Sequence, residues 1–511
     1  MAEDSLKKRY FYKLITNLLG LCFASVTQTI IPRGLGPRAY GDFNFLNNFF
    51  TEFINFFDMG TSTAFYTKVS QRPKELKLIT FYFYFIGIIA LVVLTFVVTA
   101  HKTGVYIKLW PTQLMLYIYL SVFLGIFSWI TKILNQMIDA YGLTVSAEIA
   151  KIFPKIFGLL LISVLFIFSK LNLTNFFFYN YLILFVLAII FIQIIKRYGY
   201  ALESNWKLAT GEIKKYISEF YQYSHPLFIY SLVGMFVGIF DRWLLQVFGG
   251  SIQQGFFSLS LQIGTLCFLF TSAMTPLIMR EFSIAHYNKN LDLIASLFRK
   301  YVSLLYSITA FFSCFIALNA DKVTIIFGGG RFKDATLAVA IMAFFPIHQT
   351  YGQLNGSLFY ATGQTKLHRN IGIFFMLIGI FFTYFLIAPK NLFGLNAGAN
   401  GLAIKMVLLQ ILAINAQLYF NAKLLKLHFL RYIAHQILCV ACLLSVAILS
   451  SFIANGVFGH YGKVLPSFLF AGFLYTVIVM IIVYYFPILF GLRKEYIKLI
   501  KERVIQGIGL R

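Results

Sequence analysis

Phe81-Tyr-Phe-Tyr-Phe-Ile-Gly-Ile-Ile-Ala-Leu-Val-Val-Leu-Thr-Phe-Val-Val-Thr-Ala100 carries no charge from end to end. As a helix, about twenty such residues cross a hydrocarbon core of roughly 30 Å. Runs of this kind recur along the whole chain. With 59% hydrophobic and 12% charged residues, and a mean hydropathy of +0.78, the composition lies outside that of a soluble globular protein. Backbone groups in lipid must be satisfied within their own segment, and continuous runs rather than ten-residue alternations select helices over a barrel. The reading is an all-α polytopic membrane protein with about 14 transmembrane helices. They lie near 10–31, 41–67, 79–100, 112–138, 144–169, 175–195, 219–248, 254–279, 301–319, 335–361, 369–389, 398–420, 431–454 and 466–489.

The net charge is +25, which in a soluble chain would suggest nucleic acid. Its distribution points elsewhere. With the N-terminus placed in the cytoplasm, cytoplasmic connections hold about 30 Lys and Arg against about 11 on the other side, as the positive-inside rule requires. Both termini are therefore expected in the cytoplasm, in a multi-pass protein of the bacterial inner membrane, and no nucleic acid is needed to explain the charge. Met1 to Arg9 are mixed-charge and lead straight into a span, so no cleaved signal peptide is expected. All five cysteines fall inside apolar runs, where cysteine behaves as a small hydrophobe, and Cys439 and Cys442 read as neighbouring core positions.

Self-comparison gives two internal matches. Gly36-x4-Gly41-Asp-Phe-Asn-Phe starts the second span and Gly250-x4-Gly255-Phe-Phe-Ser-Leu the eighth. Ala140-Tyr-Gly-Leu-Thr144 follows the fourth span and Ala361-Thr-Gly-Gln-Thr365 the tenth, each preceded by Leu-Asn. Each second copy comes six spans after the first, an even offset that preserves orientation, so the repeats are parallel. Two six-helix pseudo-symmetric lobes follow, residues 1–200 and 201–425, with 426–511 holding two C-terminal helices and a cytoplasmic tail.

The stretch Ile31-Pro-Arg-Gly-Leu-Gly-Pro-Arg-Ala-Tyr-Gly-Asp-Phe-Asn-Phe45, Asp58-Met-Gly60, Ile326-Phe-Gly-Gly-Gly-Arg-Phe-Lys-Asp-Ala335 and Tyr360-Ala-Thr-Gly-Gln-Thr-Lys366 together carry a resemblance. In order and spacing, over essentially the full length, the chain resembles the polysaccharide-transport branch of the multidrug/oligosaccharidyl-lipid/polysaccharide exporter superfamily, the Wzx-type flippases. Gln253-Gln254-Gly255 departs from the family's Tyr-Gly at the eighth span. The resemblance implies a transporter and not an enzyme. Two lobes would alternate around a central cavity and move a polyprenyl-pyrophosphate-linked oligosaccharide, a polysaccharide or O-antigen repeat unit, to the outer leaflet. A cation-coupled multidrug exporter and a lipid II flippase are the alternatives. The implied partners are the lipid-linked glycan and membrane lipid, with polysaccharide polymerase or chain-length machinery as a candidate protein partner; the chain needs no oligomer to form a pathway.

Polar residues inside spans are expensive and face a bundle interior or a watery cavity. On the second span Asn44, Asn48, Thr51, Glu52, Asn55, Asp58 and Ser62 recur every three or four residues as one polar stripe; Ser258, Gln262, Thr265 and Ser272 form the eighth span's stripe. Small polar groups also hydrogen-bond between helices, whereas Glu52 and Asp58 are expected in the cavity. A pyrophosphate head needs cations. Arg242, beside Asp241 late in the seventh span, is the leading candidate. Arg33 holds the corresponding place in the first span, where snorkelling to the interface is the alternative. Lys132 is a further candidate or the partner of Asp139, and Lys405 a lone cavity cation. Asn48, Glu52 and Asp58 complete the candidate cavity set, with Glu52, Asp58 and Asp241 as proton or sodium sites. Pro226 is either a hinge of the seventh span or a first-turn proline. No ATP-binding loop, GxSxG turn or metal spacing is present in the sequence, so neither cofactor nor metal is expected.

Overall fold

A computed structural model of the chain describes residues 6–200, 208–225, 228–458 and 464–492, and among these every regular element is helical. Two compact units divide the chain, Met1–Gly255 and Phe256–Arg511.

The first unit begins with α1 (Leu6–Asp58), which Gly36 breaks at φ 75°, ψ 171°. That conformation is open to glycine and strained for other residues, and Pro32 and Pro37 remove backbone donors on either side. α1 is thus two spans joined at one residue. After it come α2 (Thr61–Gln71), α3 (Leu76–Lys102), α4 (Tyr106–Leu109), α5 (Met115–Ala140), α6 (Thr144–Ala150), α7 (Ile152–Ile167), α8 (Leu173–Arg197) and α9 (Thr210–Ser224). α10 (Phe228–Leu266) repeats the device of α1, with Gly250 at φ 70°, ψ −175°. Phe45, Leu46, Phe50, Tyr82, Trp110, Ile133 and Phe191 sit at the centre of this unit's core, each buried.

The second unit adds α11 (Leu269–Tyr287), α12 (Leu291–Leu318), α13 (Ala320–Gly328), α14 (Thr336–Met342), α15 (Phe345–Ala361), α16 (Thr365–Ile387), α17 (Gly398–Leu424), α18 (Phe429–Phe458) and α19 (Val464–Tyr485). Here α12 packs on α15 and α18, α15 on α11 and α17, and α18 on α19. Tyr306, Tyr351, Leu354, Leu358, Leu418 and Tyr475 fill the middle.

Ten helices among the described residues are long and apolar enough to cross a membrane. Large apolar side chains such as Leu91, Phe381 and Phe452 point outward, as lipid-facing residues do. Among the described residues all fourteen expected spans are helical, with breaks that the sequence reading ran through. The second span stops at Asp58 and restarts at Thr61, because Met59 (φ 41°) and Gly60 (φ 82°) take left-handed conformations. The fifth breaks at Lys151 and the tenth at Ala343–Phe344, each three residues or fewer before a proline, Pro154 and Pro346, that cannot donate to the preceding turn. The eighth breaks at Cys267–Phe268. This break and that of the tenth span adjoin: a Cβ on Gly264 would lie 2.8 Å from the Met342 carbonyl oxygen.

The second repeat signal is a helix cap. Gly142 (φ 76°) and Gly363 (φ 71°) each end a helix in the left-handed region. The next N–H then closes back on the helix, Leu143 to the Ile138 carbonyl at 3.0 Å and Gln364 to the Phe359 carbonyl at 2.9 Å. These are matching Schellman caps in the two units.

Candidate functional site

The part of α1 after its kink crosses the part of α10 after its own kink, and the contact is reciprocal. A Cβ on Gly41 would collide with the Ser251 carbonyl oxygen, and one on Gly255 with the Pro37 carbonyl oxygen. Ser251 and Pro37 each directly follow a kink glycine. Exchanging the two copies maps one contact onto the other, the signature of a local two-fold axis. Side chains lock the crossing. The Asp42 carboxylate accepts from the Gln113 amide at 2.6 Å and from the Ser251 hydroxyl, and Gln246 donates to Thr112 at 2.9 Å and Ser251 at 3.1 Å. Trp243 donates to the Lys108 carbonyl at 2.8 Å. Asp42, Gln113 and Gln246 were not among the site residues expected from the sequence. Asp42 lies in the Gly41-Asp-Phe motif, but its partners are Gln113, 71 residues away in the connection before α5, and Ser251, 209 residues away on α10, which no local pattern reveals.

The kinks also fix the register of the repeat. Arg242 pairs with Gln28, and Arg33 with Val247, so the two arginines do not occupy corresponding places. Arg242 is buried at 8% exposure, donating to the Gln254 side chain at 3.1 Å while Gln254 donates back to its carbonyl. This guanidinium is built into the helix crossing. Asp241, next to it, is half-buried. Arg33 is exposed.

The polar stripe of the second span meets the first half of α10 at Gly238. Asn48 donates to the Gly238 carbonyl at 3.3 Å, and the Glu52 side chain lies against the same glycine, where a Cβ would fall 3.2 Å from its Cδ. Thr51 and Asn55, on the same stripe, are exposed. Within an otherwise Phe-rich helix, such groups need water rather than lipid.

Asp58 has a structural task. Its Oδ1 accepts from the Thr61 hydroxyl at 2.8 Å, the Ser62 N–H at 2.8 Å and the Ser62 hydroxyl at 2.6 Å, capping α2 where the backbone restarts. Its other oxygen is 3.8 Å from Lys132 Nζ, with the Lys132 side chain 51% exposed. Lys132 thus pairs with Asp58 rather than with Asp139. Seven residues along one helix are about 10 Å apart, and Asp139 instead accepts from Asn135 at 3.4 Å. Lys405 is buried in the second unit, with its stem along Gly379 of α16. Pro226 lies outside the described residues.

α9 is an amphipathic helix stapled to the α2–α3 connection. Glu219 accepts from Lys68 and Arg72, both at 2.7 Å, Glu212 from Lys77 at 2.6 Å, and Tyr216 donates to Glu75 at 2.7 Å. Burial pulls the Glu219 carboxyl upward, but the hydrogen bonds and charges of Lys68 and Arg72 outweigh it and hold the group below its ordinary value. The hydrogen bond from Glu219 correspondingly raises Arg72.

Residues 6–275 match the family model described as "Polysaccharide biosynthesis protein". No curated protein sequence matches the chain. Among solved structures, an inward-facing multidrug resistance MATE family transporter of the MOP superfamily aligns at TM-score 0.63 and 14% identity, covering 82% of this chain and 99% of that one. The lipid II flippase MurJ in an inward closed conformation aligns at TM-score 0.64 and 13% identity, covering 93% and 98%. A MOP superfamily transporter from Pyrococcus furiosus aligns at 0.52 and 15%, covering 83% and 98%. At these identities the likeness concerns the fold, which is that of an all-α membrane transporter.

Proposed function

Because the chain belongs to the polysaccharide biosynthesis protein family, we propose that it is a flippase that moves a polyprenyl-pyrophosphate-linked oligosaccharide across the bacterial inner membrane by alternating access. Both termini then lie in the cytoplasm, together with α9 and the basic connections. The carrying observation beyond family membership is Lys132, a half-exposed cation about two turns from the end of the apolar helix α5, loosely paired with a capping carboxylate. An ion held at 3.8 Å with half its side chain open can be recruited by a pyrophosphate, which offers charge-assisted hydrogen bonds at shorter range. Lys132 stands in the cytoplasmic half of its span and Arg33 near the outer end of the first, so the head group would meet Lys132 on loading and Arg33 on release. Asn48, Thr51, Glu52 and Asn55 would face the sugars. Arg242, held inside the helix crossing, acts on the framework instead.

The test is translocation of a fluorescent polyprenyl-pyrophosphate oligosaccharide in proteoliposomes. Losing a hydrogen bond to a charged group is worth about 1.5–3 kcal/mol, so Lys132→Ala is expected to slow the initial rate by about tenfold or more, with Lys132→Arg close to the natural rate. Equal rates for the natural chain and Lys132→Ala would remove Lys132 from the path. Drug efflux without lipid movement would replace the flippase by an exporter.

A further inference from the structure

Buried polar atoms in folded chains are nearly always paired, so unpaired ones that cluster mark a place where something small binds. In the second unit, five buried atoms without a well-formed hydrogen bond come from two helices: His348 Nδ1 and Tyr351 Oη on α15, which share the neighbouring Gln436 side chain, and Tyr432 Oη and both ring nitrogens of His435 on α18, with His435 beside the Leu489 backbone. The fully buried Tyr306 of α12 stands among them, its ring 6.0 Å from that of His348, 5.7 Å from His435 and 5.0 Å from Tyr351. One turn along α12, the hydroxyls of Thr271, Thr309 and Thr350 form a closed triangle with sides of 2.9, 3.0 and 3.3 Å. All three threonines are fully buried.

We propose that His348 and His435, with Tyr306 and the threonine triangle, form a proton-binding site that couples the second unit to the proton gradient. The inference rests on the transporter reading. Imidazole nitrogens bind a proton directly, and phenol and hydroxyl groups both donate and accept, so the set can take up a proton and pass it on. The donors do not suit a metal ion: among the described residues no group of three or more His, Cys, Asp or Glu side chains could hold one.

The surroundings say what the proton does. α11 faces the cluster with the hydroxyls of Thr271 and Thr275, α12 with Tyr306 and Cys314, α15 with Tyr351, α17 with Asn415, and α18 with Tyr432, Gln436 and Cys439. The charge that approaches is a cation, Arg299 beside Tyr432. An imidazolium here finds no carboxylate among the described residues, and a charge taken out of water without a partner is costly. Protonation therefore works against this packing of α12, α15 and α18 and favours a conformation in which the cluster meets water. A ligand that binds one conformation better than another shifts the balance between them.

The experiment compares the natural chain with His348→Gln/His435→Gln in proteoliposomes, reading the initial flipping rate with and without an imposed pH gradient, and again with a sodium gradient. Stimulation by the pH gradient several-fold in the natural chain, lost in the double variant while the gradient-free rate stays within about threefold, is the expected result. Stimulation retained in the double variant, or given by sodium instead, overturns the proposal. If the natural chain flips no lipid, the transporter substrate is wrong and the site is judged without it. Purified protein stepped from about pH 8 to about pH 5.5 should take up more protons than the double variant, and equal uptake rejects the site. If the double variant does not fold, the single variants carry the same comparison.

Discussion

Gly41→Ala tests the reciprocal crossing on which the first unit is built. The atom a new methyl group meets is the Ser251 carbonyl oxygen, with the Gly255 nitrogen 2.7 Å away. Both are backbone, so no rotamer change relieves the clash and α1 and α10 must separate by more than an ångström. Overpacking of a well-filled site costs about 1–3 kcal/mol, and a purely backbone collision belongs at the upper end, near 3 kcal/mol. Separation would also stretch the Asp42 to Ser251 hydrogen bond. For a unit of this size about 2 °C accompanies each kcal/mol, so the melting temperature in detergent should fall by about 6 °C. Gly255→Ala should do the same, since its Cβ meets the Pro37 carbonyl. Gly234→Ala is the control: it sits on the same long helix as Gly255, nothing lies within 4 Å of its Cβ, and a helical Gly→Ala change with open space around it is neutral or mildly stabilising. Were Gly41→Ala to melt with Gly234→Ala, the close crossing would not exist in the folded protein.

Asp58→Ala leaves the Thr61 and Ser62 donors without an acceptor and should cost about 2 kcal/mol, while Asp58→Asn keeps the cap oxygen and should cost about half as much; identical melting of the two would reject the capping role. A spin label on Ser218→Cys, exposed on α9, should gain mobility in molar salt and in acid. Because the folded-state Glu219 carboxyl titrates below its ordinary value, its contribution is present above about pH 4.3 and lost as pH falls through the folded value, worth no more than about 1 kcal/mol at this half-buried surface site. A line shape unchanged under both conditions would show that the staple does not hold the helix. Cysteines at Thr51 and Asn55 should react with a membrane-impermeant thiol reagent far faster than one at Leu91, which is exposed on an apolar helix; equal rates would put the polar stripe in lipid.

The class of the fold was legible because lipid leaves the backbone few options, and the repeat because its two signals are glycine positions with a conformational task. Gly36 and Gly250 hold left-handed kinks, and Gly142 and Gly363 hold left-handed caps, places where side chains are strained. The helix breaks were less legible. Pro154 and Pro346 announce theirs one turn late, and Met59 takes a left-handed conformation that nothing in its own chemistry foretells. The polar residues were recognised as a group but not assigned. Whether Asp58 caps a helix or faces a cavity depends on where the backbone turns, and whether Arg242 meets substrate or Gln254 depends on a crossing made by residues two hundred positions apart. Asp42 and the histidine cluster escaped for the same reason, since their partners come from other helices and share no local spacing with them.

The repeat preserves backbone and discards side-chain chemistry. At the kink both copies keep the glycine and the small residue five positions on, because the crossing requires close approach from each side. Around it the pairs diverge: Gln28 answers Arg242, Tyr40 answers Gln254, and Asp42 answers Phe256. The backbone is thus two-fold while each charged group stands on one copy only, Arg242 on the second and Asp42 on the first. The breaks follow the same rule, one after twenty-two residues of the second span at a carboxylate cap, the other sixteen residues past Gly250 beside a second broken span. The departures from symmetry are where binding and coupling should be sought: Lys132 and Asp58 in the first unit, and His348 and His435 in the second.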